Sequence, residues 1–539
     1  MARSPVRLEL CDELTPARFA GVGRPYLICR GGADLAALCS GFDALYWPAR
    51  ATYVGHTLRH RLCLYAGDFA RRLAIFDGAG FPINDVAFHP TEPRALVATG
   101  SYDGGYCYDG ALYDWNWETG ASRSVLAESR DVVRCRFIDG QRAALLLRPR
   151  DDDEYGEAEA YKICVGGVLE DLGPAPYLDE DENDRVRDPR LAAFAPIAPA
   201  QLGFDDRPSP WRGLPAAERA LLERAGFEER HRVWDVAWLD DARVAAVHDN
   251  CHVEVWRLPH TREAVVRGDG HGVQLLHHQG RLLVNVFGSA TPGVGPRDRS
   301  TLAWFADGAL VEWRRFERTY ACSTDRHGRL LARDTSRQQP ARHDLGLDAA
   351  GEVFLDQDLG RYDCFNHHVR IDGGDALYFL RGTPPTTHQG KRLCRIDAAG
   401  ALHDGPLWDD GAAHYMDGCA TLGLDDTIVR AYRVHHANPQ IREGAIEAWS
   451  LAGAGARWRF AIDADVTALV TMAERQVVVF ALTDGRLGAI DARSGELLAD
   501  CRLAIDGIAT VATALAARGP ALIVGTIDGR LLRWELRGA

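Results

Sequence analysis

The chain of 539 residues repeats a short pattern: an acidic residue and a glycine, then alternating apolar residues that in four of five copies end at a tryptophan. The copies are "DGALYDW" from Asp109, "DGALVEW" from Asp307, "EGAIEAW" from Glu443, "DGRLGAI" from Asp484 and "DGRLLRW" from Asp528. Asp-Gly favours a hairpin turn because glycine readily adopts positive φ, and alternation suits a strand with two faces. We therefore predict that Asp109-Gly110 is a turn that leads into a strand.

The spacing of the pattern indicates a repeat of whole sheets. Gly444, Gly485 and Gly529 lie 41 and 44 residues apart. That period fits four short strands with their turns, which is the blade of a β-propeller. The sequence predicts an all-β fold, a β-propeller of about eight four-stranded blades in a single ring, with seven to ten blades compatible.

The last repeat contains only three predicted strands before the chain stops, "GIATVATALA", "ALIVGTID" and "GRLLRWEL". A four-stranded blade then needs a strand from elsewhere, and we predict that the N-terminal region supplies it and closes the ring. The candidates are "PVRLEL" from Pro5, "PYLICR" from Pro25 and "RRLAIF" from Arg71.

Two stretches resemble known propeller families. "DVAFHPTEPRALVATGSYDG", from Asp85, resembles a WD-repeat blade, although the usual "GH" is missing, and "DGRLGAIDARSGELL", from Asp484, is similar to a quinoprotein-type blade. The stretch "SYDGGYCYDGALYDWNWETG", from Ser101, also resembles bacterial propeller proteins that work beside MoxR-type ATPases and von Willebrand A-domain proteins. That resemblance implies an adaptor whose partners are an AAA+ ATPase, an A-domain protein, or both.

The predicted organisation has four parts. Residues 1–60 form an N-terminal region, 61–173 the first blades, 174–229 an insertion, and 230–539 the remaining blades. The insertion begins acidic and proline-rich and ends with a short amphipathic helix, whose apolar positions are Leu214, Ala217, Leu221 and Ala225. It is either a tolerated surface insertion or an arm that docks a partner or covers one face.

Long polar connections between predicted second and third strands are the most systematic functional signal. They span residues 148–159, 288–300, 382–391 and 435–444. Equivalent connections of all blades emerge on one face, and loops on a rigid scaffold often carry binding residues. Against the alternative of neutral loop drift, we predict partner contacts by Arg150, Asp152, Tyr155, Arg297, Arg299, His388, Lys391, His436 and Arg442.

Charge and motifs restrict the function further. The net charge of −14 argues against nucleic-acid and anionic-membrane binding, since both favour a basic surface. The N-terminus lacks the apolar run of a signal peptide, no stretch has the length of a membrane span, and no CxxC pair occurs, so we expect a cytoplasmic protein with reduced thiols.

Metal and cofactor signals are weak. The acidic run 179–184 lacks the glycine and glutamate of a calcium loop, because Asp184 and Arg190 occupy those positions. The pairs His277-His278, His367-His368 and His435-His436 have no zinc spacing. We predict no metal, no cofactor and no catalytic residue.

Two functions remain in view. The first is a non-enzymatic scaffold for protein–protein interactions. The alternative is an enzyme or small-molecule binder, quinoprotein-like, that uses the central channel; a channel packed with apolar side chains would exclude it, and convergent carboxylates or histidines would favour it. We expect the tryptophans of the third strands to be structural: Trp115, Trp117, Trp256, Trp449 and Trp534.

Overall fold

The computed structural model is all-β, and one α-helix, α1 (Ala216–Arg224), lies among its described residues. The structure describes residues 6–14, 17–32, 34–42, 58–102, 108–126, 129–148, 163–169, 195–197, 201, 204, 213–288, 299–306, 308–335, 343–360, 369–383, 385, 390–408, 415–434, 443–453 and 455–538. In this part of the chain, no helix has the length and apolar character needed to cross a bilayer.

The strands divide between two compact units. The smaller unit is built from residues 17–42 and 58–229, and the larger unit includes residues 6–14 and 230–538. The predicted all-β fold of four-stranded sheets is confirmed, whereas the number of blades in a ring stays a prediction. The repeat period reports the size of one sheet, but it does not report which sheets contact one another.

The smaller unit contains three sheets with antiparallel neighbours. Sheet 1 consists of β2 (Arg24–Gly31), β3 (Leu35–Gly41), β4 (His60–Ala66) and β5 (Arg71–Ala79). Sheet 2 consists of β6 (Ile83–Phe88), β7 (Arg94–Tyr102), β8 (Tyr108–Asn116) and β9 (Ser122–Ser124). Sheet 3 consists of β10 (Val132–Phe137), β11 (Arg142–Leu147), β12 (Ile163–Val168) and β13 (Ala195–Pro196).

These three sheets stack in a row, and helix α1 covers one end of it. Apolar cores lie between sheets 1 and 2 and between sheets 2 and 3. The other face of sheet 1 packs against fully buried Leu222 of the helix and against Leu214, which precedes it. The helix predicted near the end of the insertion is thus present, but Ala217 is exposed and Leu222 takes the buried position.

Among its described residues, the larger unit contains seven sheets of three or four strands, also with antiparallel neighbours. Sheet 4 consists of β14 (Val233–Trp238), β15 (Arg243–His248), β16 (His252–Arg257) and β17 (Thr261–Arg267). Sheet 5 consists of β18 (His271–His278), β19 (Arg281–Phe287), β20 (Ser300–Ala306) and β21 (Ala309–Phe316). Sheet 6 consists of β22 (Tyr320–Thr324), β23 (Leu330–Asp334), β24 (Asp344–Leu347) and β25 (Val353–Gln357).

The remaining sheets follow in chain order. Sheet 7 has three described strands, β26 (Leu377–Arg381), β27 (Arg392–Ile396) and β28 (Leu402–Leu407). Sheet 8 consists of β29 (Tyr415–Leu422), β30 (Thr427–Val434), β31 (Glu443–Ser450) and β32 (Ala456–Ile462). Sheet 9 consists of β33 (Val466–Met472), β34 (Val477–Leu482), β35 (Arg486–Asp491) and β36 (Leu497–Arg502), and a small hairpin of β37 (Ala504–Ile505) and β38 (Ile508–Ala509) follows it.

Sheet 10 joins the two ends of the chain. It consists of β39 (Ala512–Arg518), β40 (Ala521–Thr526), β41 (Leu531–Arg537) and β1 (Arg7–Glu13). Strand β1 pairs antiparallel with β41, and Leu8 and Leu10 pack against the core between sheets 9 and 10. Of the three candidate segments, "PVRLEL" is the one that completes the last sheet.

Apolar cores connect the seven sheets of the larger unit in a cycle, because the core between sheets 10 and 4 joins the last to the first. One residue from each side of every interface, starting with sheets 4 and 5, gives the pairs Val247 and Val284, Leu283 and Leu330, Leu331 and Phe379, Leu393 and Ile428, Ile446 and Val478, Val479 and Leu522, and Ile523 and Val244. Consecutive residues of a second strand serve opposite neighbours, so these strands are buried on both faces.

A β-bulge recurs near the start of the first strand in eight sheets. In sheets 2 and 4 an aspartate follows the bulge, within "DVA" in both cases. Asp85 accepts the backbone N–H of Cys135 at 3.2 Å, and Asp235 accepts that of Leu275 at 2.9 Å. Each aspartate thus bonds to the first strand of the next sheet in its own unit.

The prediction of a turn at Asp109-Gly110 is wrong. Both residues lie inside β8, where Gly110 faces Gly100 of β7. A Cβ atom at Gly110 would lie 2.3 Å from the carbonyl oxygen of Thr99, so glycine is needed for close backbone approach. Gly444 is similar, since it lies inside β31.

The other copies of the pattern are turns. Gly485 and Gly529 have φ values of 84° and 78° and precede the third strands of sheets 9 and 10. Gly308, with φ of 74°, instead lies between the third and fourth strands of sheet 5. Trp115, Trp256, Trp449 and Trp534 lie on third strands as predicted, whereas Trp117 follows β8.

Candidate functional site

The structure describes two of the nine residues predicted to contact a partner. Arg299 is half-buried just before β20, and its carbonyl oxygen accepts the Gly288 N–H at 2.8 Å. Lys391 is only 1% exposed, so its side chain is not on a surface where a partner could reach it. It is the last residue of its connection and directly precedes β27. Seven residues lie outside the described part of the chain: Arg150, Asp152, Tyr155, Arg297, His388, His436 and Arg442.

The connections that carry those residues do join second and third strands. They follow β11, β19, β26 and β30. Strand β26 counts as a second strand because its side chains alternate between the cores of the two neighbouring sheets: Phe379 contacts sheet 6 and Tyr378 contacts sheet 8.

Long connections are unevenly distributed around the larger unit. Sheets 5 to 8 have second-to-third connections of eight to twelve residues, at 288–299, 335–343, 382–391 and 435–442. Sheets 9, 10 and 4 have connections of three or four residues, Thr483–Gly485, Ile527–Arg530 and Asp249–Cys251. Because sheet 10 contacts sheet 4, the three short connections are consecutive, and this face has a long-loop side and a short-loop side.

A polar cluster marks the short-loop side at sheet 4. Trp234 Nε1 donates to Asp249 Oδ1 at 2.6 Å, and the Arg232 guanidinium lies 3.9 Å from the Trp234 ring centroid. Burial alone would raise the pKa of Asp249, but hydrogen bonds from His231 and His271, the charge of Arg232 and the Trp234 hydrogen bond hold it well below its usual range.

The first strands of the larger unit surround a cavity of about 220 Å³. Residues from β14, β18, β29, β33 and β39 line it, and Arg370 and Asp372, which precede β26, complete the lining. The cavity wall is mixed, with Gln274 and Thr421 beside Leu469 and Leu515.

Arg370 links three sheets across this cavity. Its Nε atom donates to Asp372, its Nη1 atom to Asp235 of sheet 4, and its Nη2 atom to the Leu275 carbonyl oxygen of sheet 5 at 2.6 Å. Burial alone would lower the pKa of Arg370, but the two carboxylates raise it above the ordinary value for arginine.

The two carboxylates are already occupied by protein donors. Asp235 also accepts the Leu275 N–H at 2.9 Å, and Asp372 also accepts the Thr324 N–H at 2.8 Å. A carboxylate held in this way is poorly placed to remove a proton from a substrate. The arrangement therefore ties neighbouring sheets together and offers a ligand only the remaining N–H groups of Arg370.

A second cavity, of about 560 Å³, opens beside the same arginine. Its lining includes the first-to-second turns of two sheets. Sheet 5 contributes Gln279 and, at the end of β18, His277, and sheet 6 contributes Arg326 and His327. Arg370 also lines it. First-to-second turns lie at the opposite strand ends from second-to-third connections, so this cavity opens on the other face of the larger unit.

The histidine pairs have different environments. His277 is exposed and lines the second cavity. His278 is buried and stacks on Trp304 with ring centroids 5.7 Å apart, and burial lowers its pKa. The pairs His367-His368 and His435-His436 and the acidic run 179–184 lie outside the described residues.

Asp235, Arg370 and Asp372 were not among the site residues predicted from the sequence. The "DVA" shared by β6 and β14 was the available signal for Asp235. Nothing local marks Arg370, because its partners Asp235 and Leu275 are about a hundred residues or more away in the chain.

Comparison with known proteins adds little to this geometry. No family model matches the chain, and no characterised protein matches its sequence. Solved structures similar to it include U3-55K, with a TM-score of 0.42, the RRP9 WD40 repeats, with 0.43, and the WD40 β-propeller domain of Doa1, with 0.35. Each is 10% identical to this chain in sequence. The matches cover 57%, 58% and 57% of this chain, in the same order, and 97%, 96% and 94% of the three solved structures.

Proposed function

We propose that the protein is a non-enzymatic scaffold that mediates protein–protein interactions. In this proposal the larger unit is a closed seven-bladed β-propeller that β1 completes. The observation that carries the function is the uneven face of the larger unit: four consecutive sheets have long second-to-third connections and three have short ones.

The physical reason is the division between a stiff support and variable loops. Sheets buried on both faces hold the ends of the connecting loops in fixed positions.

The partners we propose are an AAA+ ATPase, an A-domain protein, or both, in a bacterial cytoplasm. This part of the proposal rests on the resemblance of residues 101–120 to bacterial propeller adaptors. The net charge of −14 supports a protein partner over nucleic acid or an anionic membrane.

The test is affinity capture from the native host with the full chain and two variants. In the first, Arg297, Arg299, His436 and Arg442 are changed to alanine. In the second, Arg518→Gln alters an exposed residue of a first-to-second turn, on the opposite face. We expect one ATPase or A-domain protein to be recovered with the native chain and the Arg518 variant, but at least fivefold less with the quadruple variant. Equal recovery with all three would contradict the proposal.

The cavity of about 220 Å³ favours a second candidate, a binder of a small polar molecule in the channel. Native mass spectrometry of the purified chain, with the Arg370→Met variant as control, tests it. A bound mass that the variant loses would support this candidate, and the absence of any bound mass, or the same bound mass on both chains, would exclude it.

A further inference from the structure

The second cavity has a basic mouth, which we define as His277, Gln279, Arg326 and His327. The two histidines are exposed, and Arg326 is exposed as well. With a volume of about 560 Å³, the cavity has room for several side chains of a bound peptide.

The carboxylates in the wall of this cavity already accept hydrogen bonds from the protein's own donors, which include the side chains of Arg329 and Arg370. Asp325 Oδ1 accepts the N–H groups of His327 at 3.0 Å and Arg329 at 2.8 Å, and its Oδ2 accepts Arg329 Nε at 2.7 Å. Asp372 is held by Thr324 and Arg370.

The donors of the basic mouth remain available. Within the described residues, no hydrogen bond involves the imidazole of His277 or of His327. Arg326 pairs with Asp375 at 2.6 Å, but the two side chains are 61% and 68% exposed, so exchanging that carboxylate for another costs little.

An exposed apolar rim borders the basic mouth. We define it as Val311, Val353, Phe354 and Leu402, which are 50%, 43%, 36% and 37% exposed. All four lie on the outer strands of sheets 5 to 7, and Ala349, in the turn before β25, also lines the cavity.

The outer parts of the three sheets that carry the apolar rim contact one another. Arg314 Nη1 on β21 donates to the Gly351 carbonyl oxygen before β25 at 2.8 Å. On the other side, a Cβ atom at Gly400, in the turn before β28, would lie 3.6 Å from the Phe354 ring. Outer strands also present unpaired backbone groups, which an extended peptide can meet.

We propose that the basic mouth and the apolar rim together bind an extended segment of a protein partner that carries both carboxylate and apolar side chains. The mouth supplies hydrogen-bond donors, among them the charged guanidinium of Arg326, and the rim supplies apolar surface on the outer strands. The inference rests on the proposed scaffold function, because it specifies the chemistry of a protein partner. The proposed binding surface, however, lies on the face opposite the long connections.

The experiment is selection of a phage-displayed library of random dodecapeptides on the full chain. Enriched peptides are synthesised, and their Kd is measured by fluorescence anisotropy against the native chain and three variants. The first variant is His277→Gln with Arg326→Gln and His327→Gln, the second is Val353→Ser with Phe354→Ser, and the control is Arg315→Gln, an exposed residue that pairs with Glu312.

We expect enriched peptides that contain Asp or Glu beside apolar residues. Their binding should weaken about tenfold in the triple variant and in the double variant, and be unchanged in the control. Replacing the peptide's acidic residues by their amides should weaken binding to the native chain by a similar factor. Melting curves establish that each variant is folded. We expect all of them to fold, because the substituted positions are exposed.

Three results would overturn the inference: no enriched peptide, equal binding to the native chain and the triple variant, or equal binding of the acidic peptide and its amide form. None of these would affect the capture experiment, which depends on the opposite face. Conversely, if the native chain binds the peptides but captures no partner, only the proposal that the long connections contact a partner is contradicted.

Discussion

The larger and the smaller unit are made from the same kind of sheet, but their sheets end in different ways. In the larger unit every sheet has two neighbouring sheets, because the core between sheets 10 and 4 completes the cycle. In the smaller unit sheets 1 to 3 form a row, and helix α1 covers the outer face of sheet 1. The difference shows that either another sheet or a helix can cover an apolar face of a repeated sheet.

Removal of β1 should cause the largest loss of stability, and it should affect the cycle of sheets in the larger unit but not the smaller unit. A chain that starts at Leu14 loses the fourth strand of sheet 10 and the buried contacts of Leu8 and Leu10. We expect a loss of about 5 kcal/mol of unfolding free energy in the larger unit. Hydrogen exchange followed by mass spectrometry should show faster exchange there, with the smaller unit unchanged. A chain that starts at Val6 is the control, and equal protection in both truncations would refute the prediction.

The two "DVA" aspartates allow a matched comparison of the units. Asp235→Asn removes the carboxylate that Arg370 contacts and should cost about 3 kcal/mol, since it leaves a mostly buried cation without one partner. Asp85→Asn, which affects the bond to Cys135, should cost about 1 kcal/mol. Urea unfolding monitored separately for each unit measures both values. If the two variants lose the same free energy of unfolding, the contact of Asp235 with Arg370 adds no stability beyond the backbone hydrogen bond that both aspartates make.

Leu222→Ala tests the helical cover of the row. The side chain is fully buried against sheet 1, so its truncation should cost about 2.5 kcal/mol in the smaller unit. Limited proteolysis should then cut residues 17–229 first and leave residues 230–538 intact. Ala217→Ser, an exposed change on the same helix, should leave the digestion pattern as it is in the native chain.

Acid should weaken the larger unit through His248. Burial, the larger influence, lowers the pKa of His248 to about 4, although Glu254 opposes the shift. The unfolded chain binds a proton near the ordinary histidine value of about 6.5 and the folded chain does not, so stability falls as pH drops from there toward 4. We expect a loss of about 2 kcal/mol from this residue by pH 4.5. His248→Gln should flatten the pH dependence of the melting temperature, and an unchanged slope would contradict the assignment.

The smallest expected effect concerns two turn glycines with positive φ. Gly485→Ala should cost about 1.5 kcal/mol, because a Cβ atom would also lie 2.9 Å from the Thr510 carbonyl oxygen near the next sheet. Gly120→Ala in the smaller unit should cost about 1 kcal/mol, since no atom lies within 4 Å of the added Cβ. The difference in melting temperature between the variants measures the contact between sheets 9 and 10. A larger cost at Gly120 would reverse the comparison.

Much of the secondary structure could be predicted from the repeat, but parts of the pattern had two explanations. "DGRLLRW" and "DGALYDW" look alike, yet Gly529 is a turn residue and Gly110 lies within a strand. Glycine suits both positions, one because of its φ and the other because backbone atoms approach closely. The sequence alone offers no way to separate these two needs.

The candidate site was harder to predict because its residues come from distant parts of the chain. Lys391 belongs to a polar connection and yet is buried, while Arg370 meets Asp235 across 135 residues of sequence. The exposed side chains of the basic mouth come from the end of β18 and from two turns, and the pair His277-His278 was the only part of it that the sequence drew attention to.

The sequence by itself determined the four-stranded sheet of about forty residues, since alternating apolar residues and turn residues act locally. It also indicated that the last sheet lacks a strand, which β1 provides. Only the tertiary structure decided that seven sheets close a cycle, that three stack in a row, and that Arg370 links sheets 4, 5 and 7. Contacts between sheets depend on which apolar faces meet, and any of these sheets presents a similar apolar face to its neighbours.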